Sequence, residues 1–141
     1  MNKQDGLTLV ELIGVVVILA ILLGVAIPSY SRTKERNYYR TATTILQTIY
    51  SGERAYYFTK TSPTDRRYYA PTGNTNAAWD PLFMDAPNLT STGITFSVTL
   101  PTPTSFTATA ERTSGPCDDK KVSINQTGDL NHDLNWRNGT C

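Results

Sequence analysis

The chain has 141 residues and a formal net charge of +1 at pH 7. A balance so close to neutral excludes attraction to nucleic acid or anionic lipid through overall charge, and the longest basic run near the middle is only the pair Arg66 and Arg67. The single histidine, His132, argues against a histidine-based metal centre or catalytic set. Without a phosphate loop or a nucleophile–base set, we expect no metal, no cofactor and no enzyme activity.

The first predicted element is an apolar helix from Leu7 to Ile27. About 21 residues span roughly 31 Å at helical rise, which is enough to cross a bilayer. This core is longer than the roughly 7–15 residues of a secretory signal, so we expect a retained helix rather than a cleaved signal peptide. Lys3 is the basic side chain before the run and weakly favours a cytoplasmic N-terminus.

One carboxylate, Glu11, lies inside the apolar run. An ionised group deep in a bilayer costs roughly 2.5–3.5 kcal/mol by insertion scales, so Glu11 requires a positively charged partner. The alternative is that its side chain extends back to the lipid headgroups. The apolar run by itself leaves both interpretations open.

The helix is predicted to continue beyond Pro28 to about Phe58. Pro28 is expected to kink it rather than end it, because no turn-forming cluster follows. Apolar positions beyond the proline are three and four residues apart, which predicts an amphipathic helix. This stripe consists of Tyr38, Ala42, Ile45, Leu46, Ile49, Glu53 and Tyr56. One half of the helix therefore belongs in lipid or a helical bundle, and the other half against a folded domain.

Repeated Pro, Gly, Asn and Asp predict a long irregular loop over residues 59–93. Alternating apolar residues then predict strands over 94–100, 105–111 and 121–125, with short connections that favour antiparallel hairpins. The expected apolar anchors of the loop are Trp79, Leu82, Phe83 and Met84. We therefore expect an α+β fold, with a long N-terminal helix packed on an antiparallel sheet of three or four strands.

The two cysteines, Cys117 and Cys141, both lie in the last part of the chain. In an exported protein this position favours a disulfide bond. The bond would fasten the C-terminal residue to the edge of the sheet and would close a C-terminal loop.

The stretch GLTLVEL, followed by a long apolar helix and a proline, resembles the N-terminus of type IV pilins and pseudopilins. The resemblance implies that a prepilin peptidase removes the leader after Gly6 and that the new N-terminal residue, Leu7, is N-methylated. It also implies that Glu11 pairs with the amine of Leu7, in its own or a neighbouring subunit, and so sets the axial register of a filament. The implied segments are a leader (1–6), a transmembrane or filament-core helix (7–28), its amphipathic half (29–58), a loop (59–93) and the sheet with its disulfide loop (94–141).

The resemblance implies a structural filament subunit rather than an enzyme. The first candidate is a type IV pilus subunit, part of a surface filament for adhesion, twitching motility or DNA uptake. The alternative is a pseudopilin of a type II secretion system, which forms a periplasmic filament. The Cys117–Cys141 pair favours the pilin, because a disulfide-bounded C-terminal loop resembles pilins. The precursor would lie in the inner membrane before it reaches the cell surface.

The implied partners are further copies of the chain in a helical filament, minor pilins, the prepilin peptidase and methylase, and the pilus assembly platform. Nucleic acid is implied only as an indirect partner, if at all. All eight tyrosines lie between Tyr30 and Tyr69, several as adjacent pairs. Packing against the sheet and against other subunits explains them, and stacking of nucleotides is the alternative.

A polar stretch near the C-terminus has the alternation of the first half of a calcium-binding loop. The alternating residues are Asp129, Asn131, Asp133 and Asn135. An EF-hand would require glycine where Leu134 stands and glutamate where Thr140 stands, so no metal site is predicted.

Overall fold

The longest element is a helix that joins an apolar stem to a folded domain. In this computed structural model, which describes residues 8–87 and 93–141, helix α1 runs from Leu9 to Thr59. Its 51 residues span about 77 Å at helical rise. The helix continues through position 28, and a kink at Pro28 stays a prediction. By length and composition α1 is apolar enough to cross a membrane, and no described side chain of its apolar stretch is buried.

The second half of α1 buries one face against the domain. Its buried side chains are spaced alternately by four and three residues, the period of a single helix face. They are Glu35, Tyr39, Ala42, Leu46, Ile49 and Glu53. The predicted stripe is thus buried at Ala42, Leu46 and Ile49, whereas Tyr38 is only half-buried. The buried face begins at Glu35 and ends at Glu53. Because a buried carboxylate needs polar partners, the contacts of both residues are described below.

The domain contains a four-stranded antiparallel sheet in the order β1-β2-β3-β4, which confirms the α+β class. The strands are Ile94–Thr102 (β1), Ser105–Arg112 (β2), Lys121–Asn125 (β3) and Leu130–His132 (β4). Alternate side chains of β2 are buried, and α1 lies against β2 and β3. Two of these side chains, Ala108 and Ala110, are small, so the helix can approach the sheet closely.

The segment between helix and sheet contains short helical turns as well as irregular chain. These are a 3-10 helix at Pro63–Asp65, helix α2 at Asn76–Trp79 and a 3-10 helix at Asp80–Leu82. Trp79 and Leu82 are buried anchors, as expected. Gly52 of α1 permits this packing, because a Cβ there would lie 2.4 Å from the carbonyl oxygen of Leu82.

The prediction that Phe83 anchors this segment is wrong. Phe83 is 68% exposed, and its φ of 58° places it in the left-handed region, where it ends the 3-10 helix. Leu82 already packs against α1, and the chain reverses direction at Phe83, so the side chain of Phe83 lies in solvent.

The disulfide between Cys117 and Cys141 is formed, with the Cα atoms 5.0 Å apart, as predicted. The expectation that it fastens the terminus to the sheet edge is wrong. Cys117 lies in the β2–β3 connection, and the closed loop ends in helix α3, Leu134–Asn138, which packs on α1. The Nε group of Arg36 donates to the carbonyl oxygen of Asn138 at 2.9 Å. The C-terminus is therefore held against the helix.

Candidate functional site on the N-terminal helix

The first half of α1 presents apolar side chains to its surroundings on every side. Between Leu9 and Leu23 the large apolar side chains are 51–76% exposed. Continuous apolar surface of this size requires lipid or other apolar protein surfaces around it. A helix meets the requirement of a bilayer because its backbone N–H and C=O groups are paired within the segment.

Glu11 is held at the start of this apolar surface by Thr8. Its Oε2 atom accepts hydrogen bonds from the backbone N–H and the hydroxyl of Thr8, both at 2.8 Å. The Thr8 hydroxyl oxygen accepts from the backbone N–H of Glu11 at 3.3 Å. This reciprocal arrangement is a capping box, and it places a negative charge at the positive end of the helix dipole. Glu11 thus caps α1 in the single subunit.

The proposed cleavage residues, Gly6 and Leu7, lie outside the described residues. The pairing of Glu11 with the amine of Leu7 therefore stays a prediction. The capping box is compatible with it, since the carboxylate lies at the same end of the helix as that amine.

Cleavage after Gly6 can be tested with a Gly6→Val variant. We expect this variant to remain uncut, because a side chain at the scissile bond would crowd the peptidase. Mass spectrometry of the membrane fraction should show a variant chain that begins at Met1 and a wild-type chain that begins at methylated Leu7. Asn2→Val adds the same side chain farther from the bond and should be cut normally. A wild-type chain that begins at Met1 would contradict the prediction.

A buried ion pair fastens α1 to the sheet close to the end of the apolar half. Glu35 on α1 and Arg112 at the end of β2 each have a side chain that is 4% exposed. The Nε and Nη2 groups of Arg112 donate to the two carboxylate oxygens, each at 3.1 Å. Its Nη1 group donates to the Gly93 carbonyl at 2.9 Å and to the Ser114 hydroxyl at 3.1 Å. One guanidinium group therefore joins the helix, the start of β1 and the β2–β3 connection.

The second buried carboxylate, Glu53, fastens the connecting segment to the far half of α1. Its Oε2 atom accepts from the backbone N–H of Tyr69 at 2.9 Å. Its Oε1 atom is buried and has no hydrogen-bond partner among the described residues. Burial raises the pKa of Glu53 to about 7, and the hydrogen bond from Tyr69 opposes this shift. A protonated Glu53 is thus well populated at neutral pH.

Because folding raises the pKa of Glu53 from 4.5 to about 7, stability should fall as pH rises between these values. The folded chain holds the proton more tightly than the unfolded chain, so stability is highest below pH 4.5 and levels off above about pH 7. We expect a loss of the order of 3 kcal/mol across this range. Thermal unfolding of the detergent-solubilised chain should show the loss in the wild type and not in Glu53→Gln. Glu111→Gln is the matched control, and a pH profile that Glu53→Gln leaves unchanged would contradict the assignment.

Tyr39 joins the buried face of α1 to the C-terminal loop. The hydroxyl of Tyr39 is hydrogen-bonded to Nδ1 of His132, and the Tyr39 ring lies edge-on to Trp136, with centroids 5.7 Å apart. Burial raises the pKa of Tyr39, which keeps its hydroxyl protonated. His132 therefore contributes to the contact between α1 and the C-terminal loop.

Within residues 8–87 and 93–141, no group of three or more His, Cys, Asp or Glu is arranged to hold a metal ion. Asp133, one of the alternating residues near the C-terminus, is the N-cap of α3. Its Oδ1 atom accepts from the backbone N–H groups of Asn135 and Trp136, at 2.9 and 3.2 Å. This side chain thus has a role in capping.

Sequence reasoning misses the Glu35–Arg112 pair and the capping role of Thr8. The first leaves no local signal, because its partners are 77 residues apart. The second does leave one, since Thr8 followed three residues later by Glu11, directly before an apolar run, is the signature of a capping box. Glu53 stands in the predicted stripe, but its burial is visible only in the fold.

Comparison with known families agrees with this description of the N-terminus. Residues 1–27 match the family model described as the prokaryotic N-terminal methylation motif. No curated protein sequence matches the chain. The matched residues include Gly6, Leu7 and Glu11, and most of the exposed apolar half of α1. At its N-terminus the chain thus carries the methylation motif that is characteristic of type IV pilins and pseudopilins.

Proposed function

We propose that the chain is the structural subunit of an extracellular type IV pilus. The N-terminal motif supports a type IV pilin-like or pseudopilin protein that is processed by prepilin peptidase and assembles into pilus-like filaments. The observation that carries the proposal is the exposed apolar half of α1, which the same helix joins to a folded domain. In the precursor this half spans the inner membrane, and in the filament the same half of neighbouring subunits covers it.

In a filament the apolar half of α1 no longer contacts lipid. Its apolar surface must therefore be buried against the same surface of other copies of the chain. Inside such a bundle of apolar helices the dielectric constant is low, so an ionised carboxylate without a positively charged partner is strongly destabilising. The amine of Leu7 in a neighbouring subunit would neutralise Glu11 and allow one axial register. The pilin assignment is preferred to a secretion pseudopilin because of the Cys117–Cys141 loop, which resembles pilins.

Assembly can be tested with two substitutions of Glu11 that separate charge from capping. Glu11→Ala removes both, whereas Glu11→Gln keeps an oxygen that accepts hydrogen bonds from Thr8 and removes the charge alone. We expect both variants to insert into the membrane, because a charge leaves the apolar run, and both to be recovered poorly in filaments. Filament yield is measured by immunoblotting of sheared surface fibres against the membrane fraction. Normal yield from Glu11→Gln would show that capping, and not charge pairing, is the role of Glu11.

The location of the filament separates the two candidate functions. A surface fibre that contains the mature chain as its repeating subunit would support the pilus. A filament that stays in the periplasm, with loss of a secreted protein when the chain is deleted, would favour the type II secretion pseudopilin.

A further inference from the structure

The far end of α1 and the connecting segment together form a positively charged surface. Residues 54–69 contain four cations and one carboxylate, Asp65, so this segment has a net charge of +3 in a chain whose total is +1. We use the name basic–aromatic surface for six side chains of this region. They are Arg54, Tyr57, Phe58, Lys60, Arg66 and Arg67.

Three of the four cations of the basic–aromatic surface lie close to aromatic rings. The guanidinium groups of Arg54 and Arg66 are 5.9 and 5.6 Å from the ring centroid of Phe58, and that of Arg66 is 5.9 Å from Tyr57. The ammonium group of Lys60 is 4.7 Å from the ring of Tyr56. None of the four cations forms an ion pair within the described residues. Their charge is therefore available to an anionic ligand.

One ring of this surface, Tyr57, is held in place by the domain beneath it. Tyr57 is stacked on Tyr68 with centroids 4.8 Å apart, and Tyr68 packs edge-on against the buried Phe106 at 4.7 Å. The backbone N–H of Tyr68 donates to the carbonyl of Pro103 at 3.0 Å. Phe58 extends outward and is 58% exposed. The result is a supported platform from which one ring extends into solvent.

A groove lies beside this platform, between the connecting segment and the β1–β2 hairpin. Its volume is about 260 Å³, and its lining residues are Arg67, Tyr68, Leu100, Pro101, Thr102 and Pro103. It is smaller than the roughly 300–1,000 Å³ of pockets for drug-sized ligands. A groove with an aromatic wall and a cation among its lining residues suits a single flat ring that is attached to an anionic chain.

The position of the surface excludes the headgroups of the anchoring membrane as its ligand. Arg54 follows the apolar half of α1 by about 27 residues, or roughly 40 Å along the helix. Screening at physiological salt limits attraction between exposed charges to about 8 Å. The relevant anion must therefore come from outside the membrane that holds the chain.

We propose that the basic–aromatic surface binds single-stranded nucleic acid, with phosphates on its cations and one base in the groove beside Tyr68. A second base stacks on the ring of Phe58, from which a guanidinium group moves aside to a phosphate. A cationic surface with aromatic rings that a base can stack on is the combination that binds unpaired strands without sequence preference. A duplex would offer its phosphates only, since its bases are stacked on one another. The inference goes beyond the proposed function and does not depend on filament formation.

The charge component is tested with the full-length chain in detergent and a fluorescent oligothymidylate of about 12 nucleotides. We expect binding at about 50 mM salt, with a slope of log affinity against log salt of about −2 to −3 for three or four neutralised phosphates. Arg67→Gln should weaken binding and reduce the steepness by about 0.7. Arg40→Gln removes the same charge from an exposed position elsewhere on α1 and should change neither quantity. Absence of binding, or equal losses from both variants, would overturn the proposal.

The stacking component is tested with Phe58→Leu, which keeps an apolar side chain and removes the ring. Because Phe58 is exposed, the fold should be retained, and near-ultraviolet circular dichroism checks this. We expect oligothymidylate affinity to fall about 5-fold or more, with the salt slope unchanged, while binding of inorganic polyphosphate is unaffected. If Phe58→Leu binds oligothymidylate as the wild type does, the surface is a general polyanion site and the nucleic-acid assignment is wrong. Filament yield is measured separately, so failure of this inference is distinct from failure of the pilus proposal.

Discussion

Replacing Arg112 with methionine is expected to lower the free energy of unfolding by about 3–5 kcal/mol, because it leaves the buried carboxylate of Glu35 without its partner. The variant also removes the donors to Gly93 and Ser114, which tie β1 and the β2–β3 connection to the helix. Urea unfolding of the detergent-solubilised chain measures the effect. The fluorescence of Trp79 and Trp136 reports the transition, since both are buried in the domain.

Two further variants separate the ion pair from general damage. Glu35→Leu combined with Arg112→Met removes both charges and should recover part of the loss, because no unpaired charge stays buried. Lys121→Met breaks the exposed pair with Glu111, whose atoms are also 3.1 Å apart, and should cost less than about 1 kcal/mol. A loss in Arg112→Met no larger than that of Lys121→Met would contradict the role of the pair.

Removing the disulfide with Cys141→Ser is expected to lower the free energy of unfolding by about 3.5 kcal/mol, the chain-entropy value for a loop of this length. Cys117 and Cys141 are 24 residues apart, and the enclosed chain carries β3, β4 and α3. Without the bond, we expect α3 to pack less firmly on α1, because the buried Trp136 and the hydrogen bond from Arg36 to the Asn138 carbonyl must then hold it there. The lowered stability should appear in urea unfolding and as proteolysis within residues 126–141.

The control for the disulfide is the double variant Cys117→Ala with Cys141→Ser. It should be no less stable than Cys141→Ser alone, since the bond is absent from both. Reduction of the wild type should reproduce the effect without any change of sequence. Two free thiols in non-reduced, denatured protein taken from the cell would contradict the presence of the bond.

Local patterns in the sequence predicted the elements of this fold. The apolar run and the spacing of three and four that follows it predicted a single helix, because a helix face repeats every 3.6 residues. Alternation over 94–100, 105–111 and 121–125 predicted the strands for the same kind of reason, with a period of two. The disulfide was predictable because two cysteines allow one pairing. The fourth strand, Leu130–His132, is short and polar, and its alternation was open to a calcium-loop interpretation.

Patterns of hydrophobicity did not predict which polar groups meet. In the sequence, Glu35 cannot be distinguished from an exposed charge of the helix. The antiparallel pairing of β2 is what brings Arg112 to it. The same holds for Glu53, whose burial depends on the path of the connecting segment across α1. Phe83 was expected inside for its apolar side chain, but a left-handed backbone conformation after Leu82 directs the chain away from the core.

Sequence patterns are enough to predict the membrane-length helix, the methylation motif with Glu11, the strands and the cysteine pair. Each of these depends on residues that are close in the chain or on a composition that leaves one choice. Four features become visible only in the folded chain: the Glu35–Arg112 pair, the raised pKa of Glu53, the docking of the C-terminus on α1 and the convergence of Arg54 with Arg66 beside Phe58. These depend on distances between remote segments, and such distances are set by which faces of the helix and sheet pack together and not by any local period.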